Sequence, residues 1–348
     1  MPSQKRSTPK HLTVETIARR LRISAMTVSR ALNNRPNVNK KTRERVLAVA
    51  NKYGYTPNYI ARSLAIRKTE TIGVVVPEIT HSFFPEVIRG IEDAVYAAGY
   101  HLILTHSAED YNRELDAINT LQSKRVDGML ISTAQTVTDH SIYKETIRRG
   151  VPIVFFDRIV CNIGASCVSI DDETCCAMIT EHLINHGCKS IAHLSGPATV
   201  SIGKERLAGF RKALKLHGLE FKSEFVVQSG FHENGGYAAM KTLLQLPSKN
   251  KPEAVVAVND PAAFGAMNAI LEHRLRIPED IAIVGMSDDV RAELVATPLT
   301  TMRQPAYEIG KTAAATLVSE IEGRSKPGKR VIVDTELIVR RSCGCGTK

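Results

Sequence analysis

The spacing of apolar side chains changes character once along the chain, near Thr71. Before that point, TVETIARRLRISAMTVSRALNN puts Ile17, Ala18 and Leu21 on one helical face, with Thr13 as N-cap and Glu15 in the first turn. A break at Arg22-Ile23-Ser24 follows, and Ser24 caps a second helix beginning at Ala25. In that helix Val28, Ala31 and Leu32 point inward, while Ala25, Met26, Thr27, Ser29, Arg30 and Asn33 lie on or near the outer face. Arg35-Pro36 ends it. A third helix after Asn39 carries Val46, Leu47 and Ala50 inward and stops at Gly54. Two short helices joined by a tight turn, with a third packed behind, form a helix-turn-helix unit. The segment NYIARSLAIRK after Pro57 has Ile60 and Leu64 at i and i+4 but is too short to be a stable helix alone.

From Thr71 the pattern becomes strand–helix alternation. Strands at 72–77, 100–105, 128–132 and 153–157 are separated by helices at 85–99 and near 113–124 and 142–149. A second series runs from SIAHLS at 190–195 through helix 204–217, strand 225–228, helix 235–244, strand 254–258, helix 261–273 and strand 281–285. Short apolar strands alternating with helices of about three turns predict parallel sheets covered on both faces. IGVVVP…EVIRGIEDAVYAAGYHLIL and IAHLSG…ERLAGFRKALKLHGLEFKSEFVV echo each other as strand, loop, helix, Gly, strand. Two such lobes side by side make a cleft at the carboxyl ends of their strands, where ligands bind in sheets of this kind. The predicted fold is therefore an all-α helix-turn-helix head plus an α/β two-lobed, periplasmic-binding-protein-like body with parallel sheets.

Charge sharpens this division. Of the net +10, residues 1–68 carry sixteen Lys/Arg against only Glu15 and Glu44, a balance of +14, and the remaining 280 residues balance to −4. A basic module joined to a near-neutral body points to a polyanion as the head's partner. No run approaches about 18 apolar residues, which argues against a membrane span, and MPSQKRSTPKHLT has no apolar core of a secretory signal. A cytoplasmic location is expected. The seven cysteines include no C-x-x-C pair and read as reduced, mostly buried thiols. Cys343 and Cys345 admit a soft metal as the lesser alternative; no metal and no cofactor are expected. The chain lacks a G-x-S-x-G elbow, H-E-x-x-H and a Walker glycine loop, so it is not expected to be an enzyme. A periplasmic sugar-binding protein would share the body but has no use for the basic head. A non-specific nucleoid protein would bind all DNA with similar salt dependence.

These residues resemble the lactose/galactose-repressor (LacI/GalR) family over essentially the whole chain. The opening matches its DNA-binding signature in T-V-S-R-A-L, V-N-K-K-T-R-E-R-V and G-Y-T-P-N, and the body matches at VPIVFFDR, SIDD, RLAGF, NDPAAFGAMNAI and IPEDIAIVGMSD. The resemblance implies a transcription regulator, most often a repressor, that binds palindromic double-stranded operator DNA as a homodimer under a small-molecule effector. It implies that the helix from Ala25 to Leu32 lies in the major groove, with Ala25 and Met26 facing base edges and Arg30 able to pair with guanine. Thr13, Ser24, Thr27, Ser29, Asn33 and Asn37 become phosphate or secondary contacts. Residues 58–69 become a hinge helix and linker that begins at Asn58, with Ala61 small enough for close approach in the minor groove and Leu64 as the wedge that kinks the duplex. The implied division is a basic arm at 1–11, a DNA-binding domain at 12–57, and an effector domain at 70–348 with an N-lobe of about 70–170 plus 302–328 and a C-lobe of about 171–301 plus 329–342. No leucine-heptad extension follows the last strand, so a dimer rather than a tetramer is expected.

For the cleft the resemblance implies Phe83, Phe84, Asp157, Arg158 and Asp171 from one side, and Arg206, Phe231, Asn259, Asp260 and Ser287 or Asp288 from the other. Aromatic rings with Asp, Asn and Arg suit a hydroxyl-rich ligand, a sugar or sugar derivative, and Arg158 with Arg206 also suits an acidic one. Phe84 has core packing as its alternative role, and Asp171 and Asp260 have helix capping. In GMSDD, Ser287 stands where the family usually has Asp.

Overall fold

In the computed structural model the chain divides into two compact units, Met1–Thr69 and Glu70–Lys348. The structure describes residues 13–32, 34, 36–55, 68–160, 162–247 and 251–345. The arm at 1–11 and the positions Asn33, Asn58, Ala61 and Leu64 lie outside the described residues.

The first unit contains α1 (Val14–Leu21), α2 (Ala25–Leu32) and α3 (Lys40–Lys52). Each start follows the capping chemistry written into the chain: Thr13, Ser24 and Asn39 side chains accept the backbone N–H groups of Thr16, Thr27 and Lys41 at 3.3, 3.1 and 2.9 Å. The core is Ile17, Ala18, Val28, Ala31, Val46 and Ala50. Leu47, expected inside, is 40% exposed. Val46 and Ala50, one turn apart, already form the buried stripe of α3, and the next residue is rotated about 100° away from it.

The second unit holds two six-stranded sheets. The N-lobe sheet orders β11-β5-β4-β3-β1-β2, built from β1 (Thr71–Val76), β2 (His101–His106), β3 (Gly128–Ile131), β4 (Ile153–Phe156), β5 (Ser166–Ser169) and β11 (Arg330–Ile332), all parallel. The C-lobe sheet orders β12-β10-β9-β8-β6-β7, built from β6 (Ile191–Ser195), β7 (Val226–Gln228), β8 (Ala254–Ala257), β9 (Ala282–Ser287), β10 (Thr300–Arg303) and β12 (Glu336–Ile338). Only β12, at the edge, runs antiparallel. The N-lobe helices are α4 (Phe83–Ala97), α5 (Tyr111–Ser123), α6 (Ser141–Arg148) and α11 (Ala306–Ile321). Those of the C-lobe are α7 (Asp172–Asn185), α8 (Ser201–Leu216), α9 (Glu233–Leu244) and α10 (Asp260–Glu272). The central strands are buried along their length, as parallel strands covered on both faces must be.

Two expected lobe limits move. Thr300–Arg303 pairs with β9 and so keeps residues 302 and 303 in the C-lobe, while Arg330–Ile332 pairs with β5 and belongs to the N-lobe. The chain crosses between lobes three times, after β5, after β10 and between β11 and β12, each time at a strand end. A strand cannot be divided between two sheets, so the limits fall in the short connections.

Candidate functional site

On α2 the exposed positions are Ala25, Met26 and Arg30, with Met26 63% exposed. An apolar side chain left in solvent at a helix start, next to a cation one turn on, forms a surface that the core does not account for. Thr27 and Ser29 are half-buried. Ser24 Oγ and Thr27 Oγ1 lie 2.8 Å apart, as Thr13 Oγ1 and Thr16 Oγ1 do at 3.0 Å, so these hydroxyls cap α2 and α1 while staying at helix N-termini, where phosphate is favoured. Asn37 is exposed and holds a left-handed backbone at φ 72°.

In the second unit, the carboxyl ends of β1, β4, β8, β9 and β10 open into one cleft between the lobes. Its walls include Phe83, Phe84, Asp157, Arg158, Arg206, Phe231, Asn259 and Ser287, as the sequence predicts, together with Glu78, His81, Ile202, His232, Pro261, Asp289 and Gln304. The space between these side chains is about 50 Å³. Much of the cleft is filled by Arg158, whose guanidinium lies 4.3 Å from the Phe231 ring centroid and 5.9 Å from that of Phe84. One Phe231 face expected to stack on ligand therefore stacks on Arg158.

Three predicted residues lie elsewhere. Asp171 is exposed and caps α7, accepting Thr174 N at 3.0 Å; the next residue, Asp172, turns inward instead. Asp260 is fully buried, accepting the Thr301 hydroxyl at 2.7 Å and the Asp289 N–H at 2.8 Å. Its carboxyl fits because Gly285 has no Cβ: one built there would stand 2.2 Å from Asp260 Oδ1. Burial pushes the Asp260 carboxyl up to about 7, against those two hydrogen bonds. Asp288 points to Arg303 and Arg340, at 2.7 Å each, and Asp289 takes its place in the cleft wall.

Arg206 is the most enclosed cation of the site. It is 2% exposed, donates through Nε to Asp172 Oδ1 at 2.7 Å and through Nη1 to the Val258 carbonyl, and leaves Nη2 buried without a partner. The approach of α8 to α7 that sets this pair depends on Gly209, where a Cβ would meet the Glu173 carbonyl at 2.1 Å. Opposite, Arg158 donates to Glu109 Oε2 at 2.7 Å, with its Nε unpartnered and Asp157 at 3.9 Å. Burial pushes the Asp157 carboxyl up to about 6, against the pull of Arg158 and Arg206. Asp157, Ser287 and Asp288 hold φ values of 58°, 139° and 56°, so the strand ends facing the cleft carry backbone that ordinary side chains rarely adopt.

A second polar chain ties the lobes at the cleft mouth. His81 Nε2 lies 3.1 Å from Glu233 Oε2 and His81 Nδ1 3.3 Å from Glu78; Glu233 also accepts from Arg291 at 2.8 Å. Hydrogen bonding to Glu78 raises the His81 imidazole above its ordinary value despite its burial, and Glu233 adds to the effect. Against its own burial, bonds from His81 and Thr80 hold Glu78 down at about 2. Ile159 N to Ser201 Oγ, at 3.0 Å, is another bridge between lobes.

Residues 13–58 match the family described as "Bacterial regulatory proteins, lacI family", and residues 180–343 match "Periplasmic binding protein-like domain". The chain is 32% identical over 304 residues to Catabolite control protein A of Priestia megaterium, covering 87% of this chain and 90% of that protein. It is 32% identical over 330 residues to the HTH-type transcriptional repressor CytR of Escherichia coli (strain K12), covering 95% and 96%. Among solved structures, the transcriptional regulator CelR–cellobiose complex superposes with a TM-score of 0.73 at 30% identity, covering 95% and 99%. The lac repressor dimer bound to operator and anti-inducer superposes with a TM-score of 0.84 at 25% identity, covering 96% and 99%.

Proposed function

Because the chain belongs to the lacI family of bacterial regulatory proteins, a family of sequence-specific DNA-binding transcription regulators, we propose that it represses transcription as a homodimer on a palindromic operator and that a hydroxyl-rich metabolite, a sugar or sugar derivative, controls it from the cleft. The observation that carries the effector reading is the Arg206 guanidinium: fully enclosed, fixed by Asp172, and left with an unpartnered Nη2 amino group in a side chain that lines the wall shared with Arg158, Asn259 and Asp289. A buried donor without a partner costs about 1–3 kcal/mol, and a ligand oxygen would recover it. The relatives support the class of ligand, since CelR is complexed with cellobiose and an Enterococcus faecium relative with ribose.

The cleft's 50 Å³ is well below the roughly 300 Å³ of the smaller ligand pockets. Binding therefore requires Arg158 to leave the Phe231 face, the lobes to part, or both. In the head, α2 enters the major groove, Met26 makes apolar contacts to base edges, and Arg30 pairs with a guanine. Selecting bound duplexes from random DNA, with and without a panel of sugars, tests the whole reading. One palindrome should dominate, and one sugar class should shift its affinity. Equal binding of every duplex at physiological salt would overturn the regulator reading, and indifference to all sugars alone would overturn only the effector reading. Arg30→Ala should lower affinity for the selected palindrome by about 1–3 kcal/mol and relax discrimination at one base pair.

A further inference from the structure

Three soft or borderline donors meet where the end of α7 faces the C-terminal tail. Cys343 Sγ lies 3.0 Å from Cys345 Sγ, and Cys345 Sγ lies 3.2 Å from His182 Nε2, on the last turn of α7. All three donor atoms fall within 4.8 Å of one another, although His182 and Cys343 are 161 positions apart in the chain. We propose that His182, Cys343 and Cys345 form a zinc site that clips the C-terminal tail to the C-lobe.

The reasoning is geometric. Zinc binds thiolate sulfur at about 2.3 Å and imidazole nitrogen at about 2.0–2.1 Å in a tetrahedron, which puts neighbouring ligand atoms about 3.5–3.8 Å apart. The observed separations of 3.0 and 3.2 Å need to open by less than about 1 Å. Two sulfurs and an imidazole select a borderline-soft d¹⁰ ion over magnesium or calcium, which take oxygen ligands. The donors are also held in place. Ser342 Oγ donates to the Ile283 carbonyl at 2.6 Å and accepts Thr300 N at 2.8 Å, which fixes the tail beside β9 and β10. The Thr300 hydroxyl lies 3.1 Å from Cys343 Sγ as its donor, the type of outer bond that orients a metal thiolate. Cys343 is 3% exposed, so an ion there would be largely shielded from water. A water would take the fourth position. The other His/Glu grouping, His81, His232 and Glu233, is different: Glu78 and Arg291 already pair with its members, and it belongs to the cleft.

The test uses the full chain, reduced and stripped with a chelator. Zinc titrated against a chromophoric chelator should bind at one equivalent per chain and raise the melting temperature. Cobalt in its place should give a thiolate-to-metal charge-transfer band with the visible spectrum of a tetrahedral ion. Cys345→Ser, at the more exposed thiol, should abolish stoichiometric binding while circular dichroism stays that of the parent. His182→Gln should keep the charge-transfer band and weaken zinc by about tenfold or more. Absence of zinc binding in the competition, cobalt binding without the charge-transfer band, or a Cys345→Ser variant that holds zinc like the parent would each overturn the site. Recovery of Cys343 and Cys345 as a disulfide that persists after mild reduction would overturn it in favour of a redox pair.

Discussion

The two lobes share a strand order, yet they hold their cleft arginines in different ways. In the C-lobe, Arg206 and Asp172 form an ion pair in which both members are 2% exposed, and both come from helices, α8 and α7, locked together at Gly209. In the N-lobe, Arg158 sits on the short connection after β4, is anchored from behind by Glu109, and packs its face on Phe231 of the other lobe. One cation is part of a lobe's core and the other is a stopper across the cleft. The difference assigns them different tasks. On the proposed function, Arg206 is the fixed donor to the effector and Arg158 the side chain that its entry displaces. A rigid site on helices with a movable group on a loop is the arrangement a ligand-gated device needs.

The largest break in this comparison is Arg206→Ala. It strands the Asp172 carboxylate in a fully buried place, and removing one partner of such a pair costs about 3–5 kcal/mol. Urea unfolding should show a loss of that order, and the effector-linked change in operator affinity should vanish with it. A variant as stable as the parent would mean that Asp172 finds another partner and that the C-lobe pair is not the core element described here. Arg206→Lys should recover part of the stability but little effector response, because an ammonium lacks the planar fork that reaches Asp172 and the cleft together.

A smaller effect is expected across the cleft. Glu109→Gln keeps an oxygen near Arg158 but removes the charge, at a cost of about 1–3 kcal/mol in stability. Its more telling consequence lies in the ligand response. With its rear anchor weakened, Arg158 should leave Phe231 more readily, so effector affinity should rise or stay level while stability falls. The same change in both quantities, as for Arg206→Ala, would erase the distinction between the two arginines.

How much of this was legible in the chain follows from where each residue's position is decided. The caps at Thr13 and Ser24 and the buried strands follow from local spacing, and the cleft positions Asp157, Arg158, Arg206, Phe231 and Asn259 were legible only through the family resemblance carried by motifs such as VPIVFFDR, RLAGF and NDPAAF. Asp171 against Asp172 was not: one step along a helix turns a side chain by about 100°, and only the docking of α8 decides which carboxylate meets Arg206. Asp260 is hidden because the partners that bury it, Thr301 on β10 and the Asp289 N–H in the connection after β9, come from far along the chain. Glu78 and His81 lie in an irregular connection with no periodicity to mark them. The grouping of His182 with the tail cysteines exists only because β9 and β10 carry the tail back to α7. The strand at Arg330–Ile332 lies in the N-lobe rather than the expected C-lobe, because β11 and β12 are three residues long and separated by three, too short for pattern alone to assign a sheet.

The mildest prediction concerns the link that joins the two lobes, His81 to Glu233. Glu78 on its own lobe, Glu233 across the cleft and the His232 ring at 5.1 Å are the groups that face this imidazole. Its protonation is favoured in the closed form, so the bridging interaction is complete below the ordinary histidine value of about 6.5 and is lost as pH rises through the raised value. Glu78, held near 2, stays ionised over that whole window and does not compete. Raising the pH from about 6 to about 9 should therefore open the lobes slightly in the absence of effector. Small-angle scattering, or the distance between labels on the two lobes, would register the change. His81→Gln should be equally open at both ends of the range. If the parent closed on raising the pH, or if the glutamine variant retained the same pH response, the closure would be governed by other contacts, such as Arg158 on Phe231 and Ile159 on Ser201.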